Sequence, residues 1–434
     1  MSVAQKDGTA HRSSVSEITY EDLYRRWEEG NWKATEIDFA PDRDGWHALT
    51  AIQRRSAMWM FSMFFYGEDR VADDLSPYID AAPTPEQQYF LATQQVDEAR
   101  HAVFFHRFFK EVIGTGDSLR ETIASTLPEL NWGYRGVFDR LDRMADELRR
   151  DRSLPKFAQA IALYHMVVEA TLAQPGQHFI EDYVAKSETM PGFASGMRNV
   201  SRDEQRHIGF GVKTLAELFA QSEECKAAVV EVLQEVLPYS LAVFTPPGWD
   251  DRYTREWGFE LEDIYAFGVR SARSKWRATG FPLEDMPANV FPVDPDLTEV
   301  EIARRQITLL KAGVMGAPNG RPQSDPEVQE IYFDLVSRSF DTSAANGRPM
   351  TVQWRFSDAD PWHVVIHNGS SRAAPGEAQA ADVTLETTWG EWIGVSLRGQ
   401  APWRALATRR MRMHGKPAQL LRLSRMLPRR PTLN

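Results

Sequence analysis

Through the first two-thirds of the chain, apolar residues recur three and four positions apart; only in the last quarter do apolar and polar positions alternate. The helical spacing predicts helices over 47–80, 84–114, 155–187, 190–220 and 259–279. Thr84-Pro85-Glu86-Gln87 is a strong helix start, with a Thr cap, proline at the first position and an acid in the first turn, and Leu154-Pro155 opens a later helix in a similar way. Residues 118–150 read as a connecting helix pair broken at Pro128 and Gly133. Between 281 and 330 the composition shifts to X-Pro pairs, a short amphipathic helix near 298–314 and the turn-rich Ala317-Pro318-Asn319-Gly320-Arg321-Pro322. Strand-like runs follow at Met350–Phe356, Trp362–His367 and Asp382–Thr387, and 389–428 returns to helical periodicity. The expectation is an all-α helical bundle over 18–290, a linker with a short helix over 291–324 and a smaller α+β domain over 325–434. The polar residues 1–17 are expected to be disordered.

One five-residue pattern occurs twice on the bundle helices: Asp97-Glu98-Ala99-Arg100-His101 and Asp203-Glu204-Gln205-Arg206-His207. Positions i and i+3 leave a helix from nearly the same face, so each copy aims a carboxylate and an imidazole at one point. A bundle that holds two metals in its core needs two such Glu-x-x-His pairs and one further Glu from each of the other two helices. Glu68 precedes the first copy by 30 residues and Glu169 precedes the second by 35. That is the span of half a helix, a turn and the facing half of the next. A single Glu-x-x-His is usually a solvated pair. Two copies that both run into apolar sequence, each with an extra Glu at a matching offset, point to a dimetal centre.

Length and charge narrow the reading. A chain of 434 residues suggests two domains, and a formal charge of −11 argues against nucleic-acid partners. The single cysteine, Cys225, excludes an internal disulfide, suits a reducing compartment and, in the polar run Gln221–Glu224, reads as a surface thiol. The N-terminus lacks the apolar core of a signal peptide and no stretch approaches a membrane span, so a soluble, cytoplasmic protein is expected.

Residues 18–290 resemble the ligand-binding oxidases whose ferritin-like fold is that of the ribonucleotide reductase small subunit. The likeness includes Trp27-Glu28-Glu29-Gly30-Asn31-Trp32 with Glu36-Ile37-Asp38, the segment from Phe65 to Val71, and Tyr164 through Glu169. The resemblance implies Glu68, Glu98 and His101 around a first metal and Glu169, Glu204 and His207 around a second. It implies a bridging Glu98, and a Glu204 that bridges or shifts between binding modes. It further implies Mn and Fe as a heterodinuclear pair, which the donor set alone does not separate from two Fe, with dioxygen as oxidant and a homodimer as the assembly. Relatives form a valine–tyrosine ether beside the metals, at positions matched by Val71 and Tyr164. Val71 shares the face of Glu68, whereas Tyr164, five residues before Glu169, lies roughly 140° away on an ideal helix. Radical-generating subunits commonly carry a tyrosine four residues after the first His ligand; Phe105 stands there instead. Residues about 325–430 look like a sterol-carrier-type lipid-binding domain, on Ala381–Leu385 and Met413–Pro417.

Four further expectations follow. Asp97 is expected to pair across the helices with Arg206 and His207, and Asp203 with Arg100 and His101, the rival being i,i+3 pairs within each helix. The bound partner is expected to be a long-chain fatty acid or other hydrophobic ligand; an arylamine-type oxygenase, or a non-catalytic lipid-transfer protein with structural metals, are the rival functions, and the electron donor is left open. Phe61, Phe64, Phe65, Phe104, Phe105, Phe108 and Phe109 either wall an apolar tunnel or form plain core, and their helical spacing favours core. Nine Lys or Arg and no acid between Arg404 and Arg430, interleaved with Met and Leu, suggest a last amphipathic helix able to touch an anionic membrane surface.

Overall fold

Hydroxyl caps set the helix starts. Thr50 and Gln53 form a reciprocal capping box that opens Ala51–Asp74, and Thr84 caps Pro85–Phe108. A computed structural model describes residues 18–187, 189–283, 297–317, 320–345 and 347–427. The segment 1–17 and the X-Pro pairs between 286 and 295 lie outside the described residues. The helices in order are α1 (Tyr20–Glu29), α2 (Ala40–Ala48), α3 (Ala51–Asp74), α4 (Ser76–Ala81), α5 (Pro85–Phe108), α6 (Leu119–Thr126) and α7 (Trp132–Leu148). Next come α8 (Leu154–Ile161), which runs through a π-helical stretch (Ala162–Ala173) into α9 (Gln174–Ser187), then α10 (Pro191–Gln221), α11 (Glu223–Ala242), α12 (Arg252–Arg255) and α13 (Leu261–Ala278). Among the described residues no helix is long and apolar enough to cross a membrane.

Helices α3, α5 and α10 and the π-helical stretch surround one apolar core, and α11 and α13 close it on the outside. Cys225 is a correction to the sequence reading, because it is fully buried. The polar run before it is the junction between α10 and α11, and Cys225 is the first inward position of a stripe that continues through Val229, Val232, Leu233 and Val236. The phenylalanines resolve as core. Phe61 and Phe108 each lie 4.5 Å from the ring of Phe193, and Phe65 lies 5.0 Å from Phe109. Phe105 stacks against Phe64 and Phe65. Of the seven, Phe64 alone lines the main cavity.

Helix α14 (Glu299–Lys311) lies along α13 and adds Ile307 and Leu310 to the bundle core, while its Leu309 joins a second core. That second core belongs to a small α+β unit. It contains α15 (Pro326–Arg338), α16 (Trp389–Ser396), α17 (Pro402–Ala407), α18 (Pro417–Met426) and strands β1 (Met350–Phe356), β2 (Trp362–His367), β3 (Ser370–Pro375), β4 (Val383–Thr387) and β5 (Arg412–Gly415). The sheet order is β3-β2-β1-β4-β5; β1 and β4 run parallel, and the other pairs antiparallel. Phe333, Trp354, Trp362, Trp389 and Trp392 fill the space between sheet and helices.

The expected last helix is also corrected. Residues 389–427 form three short helices and a strand, because Gly399–Pro402 and Gly415–Pro417 interrupt the periodicity and Arg412–Gly415 pairs with the open edge of β4. The basic residues therefore fall on several elements, and some already have partners: Arg410 pairs with Glu391, and Arg422 donates to the carbonyls of Arg348 and Pro349.

Candidate metal centre

Each of the six acidic and imidazole residues named from the sequence comes from the element that the spacing implied. Glu68 is on α3, Glu98 and His101 on α5, Glu169 on the π-helical stretch, and Glu204 and His207 on α10. They converge as two groups, Glu68–Glu98–His101–Glu204 and Glu98–Glu169–Glu204–His207, with ligand atoms in each group within 4.8 Å of one another. His101 Nδ1 stands 3.1 Å from Glu68 Oε2, 3.4 Å from Glu98 Oε2 and 3.6 Å from Glu204 Oε1. His207 Nδ1 stands 3.2 Å from Glu98 Oε1 and 3.5 Å from both Glu169 Oε1 and Glu204 Oε1. Glu98 thus offers a different oxygen to each imidazole, the arrangement of a bridging carboxylate.

The donor set fits a pair of divalent cations. Four carboxylates and two imidazoles converge in a core where each is under a tenth exposed. Such a cluster of like charges needs cations to be tolerated. His207 Nδ1 and Glu169 Oε2 are buried without a hydrogen-bond partner among the described residues, although carboxylate oxygens surround the imidazole. Electrostatics say the same. Burial pushes the Glu68 carboxyl up to about 8 and pushes Glu169 and Glu204 upward. Burial also acts against ionised Glu98, yet the two imidazoles hold it well below the usual carboxylate range.

The second nitrogen of each imidazole is held by an aspartate from the opposite copy of the motif. His101 Nε2 lies 3.3 Å from Asp203 Oδ2, and His207 Nε2 3.2 Å from Asp97 Oδ2. Arg206 bonds Asp97 across the helices and Asp203 within its own, both at 2.7 Å. Arg100 lies 3.0 Å from Asp97 and 3.6 Å from Asp203. Crossed and intrahelical pairs therefore coexist in one ring. Two indoles close it: Trp32 Nε1 donates to Asp203 at 2.7 Å, and Trp27 Nε1 to Asp97 at 2.9 Å. Burial opposes its charge, but bonds from His101 and Arg206 hold Asp203 well below the ordinary carboxylate range.

The π-helix answers the question of Tyr164. Its backbone bonds run between residues five apart, so Tyr164 and Glu169 stand one above the other rather than on different faces. Tyr164 Oη donates to Glu98 Oε1 at 2.7 Å, and Val71 lines the same cavity as Tyr164. Sequence reasoning missed Gln94, one turn before Glu98 on the same face. Its Nε2 donates to Glu169 Oε1 at 2.8 Å, while its Oε1 accepts from His165 Nε2 at 3.0 Å. Burial lowers the His165 imidazole to about 3, which keeps it a neutral donor.

Beyond Tyr164, the ring of Tyr78 packs edge-on at 5.8 Å, and the nearby Asp74 carboxyl is raised by burial and by Asp142 to about 7. A raised carboxyl stabilises the fold while protonated, so that contribution is full at low pH and is lost as pH climbs through about 7. Asp74→Asn does not titrate there. Between pH 5 and 8 the thermal midpoint should fall further for the wild type than for this variant; equal falls would show that Asp74 is not the group concerned.

The fold and the centre define a dimetal-carboxylate oxidoreductase built on a ferritin-like bundle. The model of the ribonucleotide reductase small chain matches residues 14–240, more than half of the chain, and the protein belongs to that family. Residues 329–431 match the alkyl sulfatase C-terminal model. Among solved structures, the chain is similar to an R2-like ligand-binding oxidase with an anaerobically reconstituted Mn/Fe cofactor, in a glycine-to-phenylalanine variant. It is 24% identical at a TM-score of 0.52, covering 61% of this chain and 95% of that one. A tyrosine-to-phenylalanine variant of an R2-like ligand-binding oxidase, aerobically reconstituted with Mn/Fe, matches at 24% identity and a TM-score of 0.53, over 60% and 93% of the two chains. These likenesses bear on the fold.

Proposed function

We propose that the protein couples reduction of dioxygen, at Mn and Fe or at two Fe, to two-electron oxidation of a C–H bond in a long-chain fatty acid or other hydrophobic ligand. The observation that carries this is a cavity whose apolar walls, Met63, Phe64, Val168 and Leu172 among them, open directly onto Glu68, Glu98, Glu169 and Glu204. The solved relatives named as ligand-binding oxidases with a Mn/Fe cofactor support the metal pair and the binding of a ligand.

Glu68, Glu98 and His101 would hold one ion and Glu169, Glu204 and His207 the other. Two such ions supply electrons to dioxygen and the oxidising power that results. The protein's share is to orient and exclude. The apolar wall sets a chain against the carboxylates and keeps bulk water out. Tyr164 presents its phenol proton to Glu98 Oε1, and Val71 offers a C–H bond in the same wall. An ether between them removes one hydrogen from each, forms a C–O bond, and passes two electrons and two protons to dioxygen. Oxygen uptake by the reduced, metal-loaded protein tests the reading; no uptake would end it. After exposure to air the intact mass should be lower by two hydrogens than after anaerobic loading. Tyr164→Phe should abolish that difference while keeping both metals.

We read the C-terminal unit as a sterol-carrier-like module that delivers substrate or receives product. Its two marker segments, Ala381–Leu385 and Met413–Pro417, meet through the pairing of Val383 with Gly415 and of Leu385 with Met413.

A further inference from the structure

The cavity at the centre shares two wall residues, Leu172 and Phe244, with a second chamber. Leu237 and Leu241 of α11 and Ile264 and Val269 of α13 make that chamber apolar. Its hydroxyls are already committed to backbone carbonyls: Thr171 to Met166 at 2.6 Å, Ser240 to Val236 at 3.1 Å and Tyr265 to Leu241 at 2.6 Å. The remaining polar side chain is Gln306 of α14. It is 1% exposed, and its Nε2 has no acceptor among the described residues. A buried donor without a partner is costly to keep and calls for an acceptor. A water would need two or more polar partners, and the chamber walls leave it few. A carboxylate would need a cation, and no charged residue lines the chamber.

We infer that the two spaces form one channel, gated by Phe244 and Leu172, and that its occupant is a long acyl chain with a neutral carbonyl remote from the metal end, received by Gln306 Nε2. This rests on the proposed ligand-binding reading and deepens it. Gln306 lies beyond the stretch matched by the small-chain family, so the selectivity belongs to this chain.

Calorimetric titration of the full-length, metal-loaded protein tests it. The probes are hexadecanoic acid and the oxo-acids of equal length with the ketone at each carbon of the distal half. One oxo-acid should bind about tenfold more tightly than the plain acid. In Gln306→Leu that preference should fall to near unity while hexadecanoic acid binds within about twofold of wild type. The substitution removes an unpaired donor at nearly constant volume, so the thermal midpoint should hold. A wild type that binds the plain acid with no preference, or a preference that survives in Gln306→Leu, overturns the inference and leaves the ligand-binding reading standing. Binding of no probe at all sinks both. Phe244→Trp checks the passage separately. It should weaken hexadecanoic acid and spare hexanoic acid, and equal effects on the two would show that the chambers are not joined.

Discussion

Replacing Glu98 with alanine is expected to strip both halves of the centre at once. Glu98 belongs to both ligand groups and faces His101 with one oxygen and His207 with the other. Reconstituted with equal Mn and Fe and measured by plasma mass spectrometry, Glu98→Ala should fall from two metals per chain towards none. Oxygen uptake should drop by about two orders of magnitude or more, above what loss of an outer partner costs. Glu68→Ala is the control. Glu68 belongs to the first group alone, so the second ion should persist. Two full metal equivalents in Glu98→Ala would remove the bridge from the picture.

Arg206→Met is expected to have the largest effect on stability. Arg206 is buried and bonds Asp97 and Asp203 at 2.7 Å each, so its loss leaves two buried carboxylates short of a cation. Breaking such a pair costs about 3–5 kcal/mol. For a chain of this size that lowers the thermal midpoint by about 3–6 °C. Metal should also be held less well, because Asp97 and Asp203 orient the two imidazoles. Arg206→Lys keeps the charge but lacks the fork that spans both aspartates, and should recover only part of the loss. The exposed Arg149–Asp146 pair has the same i,i+3 form, yet Arg149→Ala should change stability by no more than about 0.5 kcal/mol. A wild-type melting profile for Arg206→Met would mean that the ring of charges does not hold the helices.

Much of the centre was legible because it is local. Glu98 with His101 and Glu204 with His207 are each three residues apart, a spacing that puts both groups on one face wherever the helix packs. Strands β1 and β4, which alternate, and β2, a short strand-like run, were legible for the same reason. Strand β3, Ser370–Pro375, was not, because small and polar residues carry no alternation of hydrophobicity. Strand β5 was hidden by Met and Leu at helical spacing on either side. Cys225 misled because its neighbours upstream are polar, while its side chain follows the face of the helix that begins there.

The chain by itself determined which groups meet, since helical periodicity ties the chemistry of each short motif to a single direction. Only the tertiary structure decided how they meet. The π-helical stretch turns Tyr164 towards Glu98, a choice between two hydrogen-bond patterns that local propensity does not make. The indoles on Asp97 and Asp203 come from residues 70 and 171 positions away, and Gln306 reaches its chamber from a helix beyond the bundle's four. Those contacts come from burial and packing between distant segments, which no short window of residues contains.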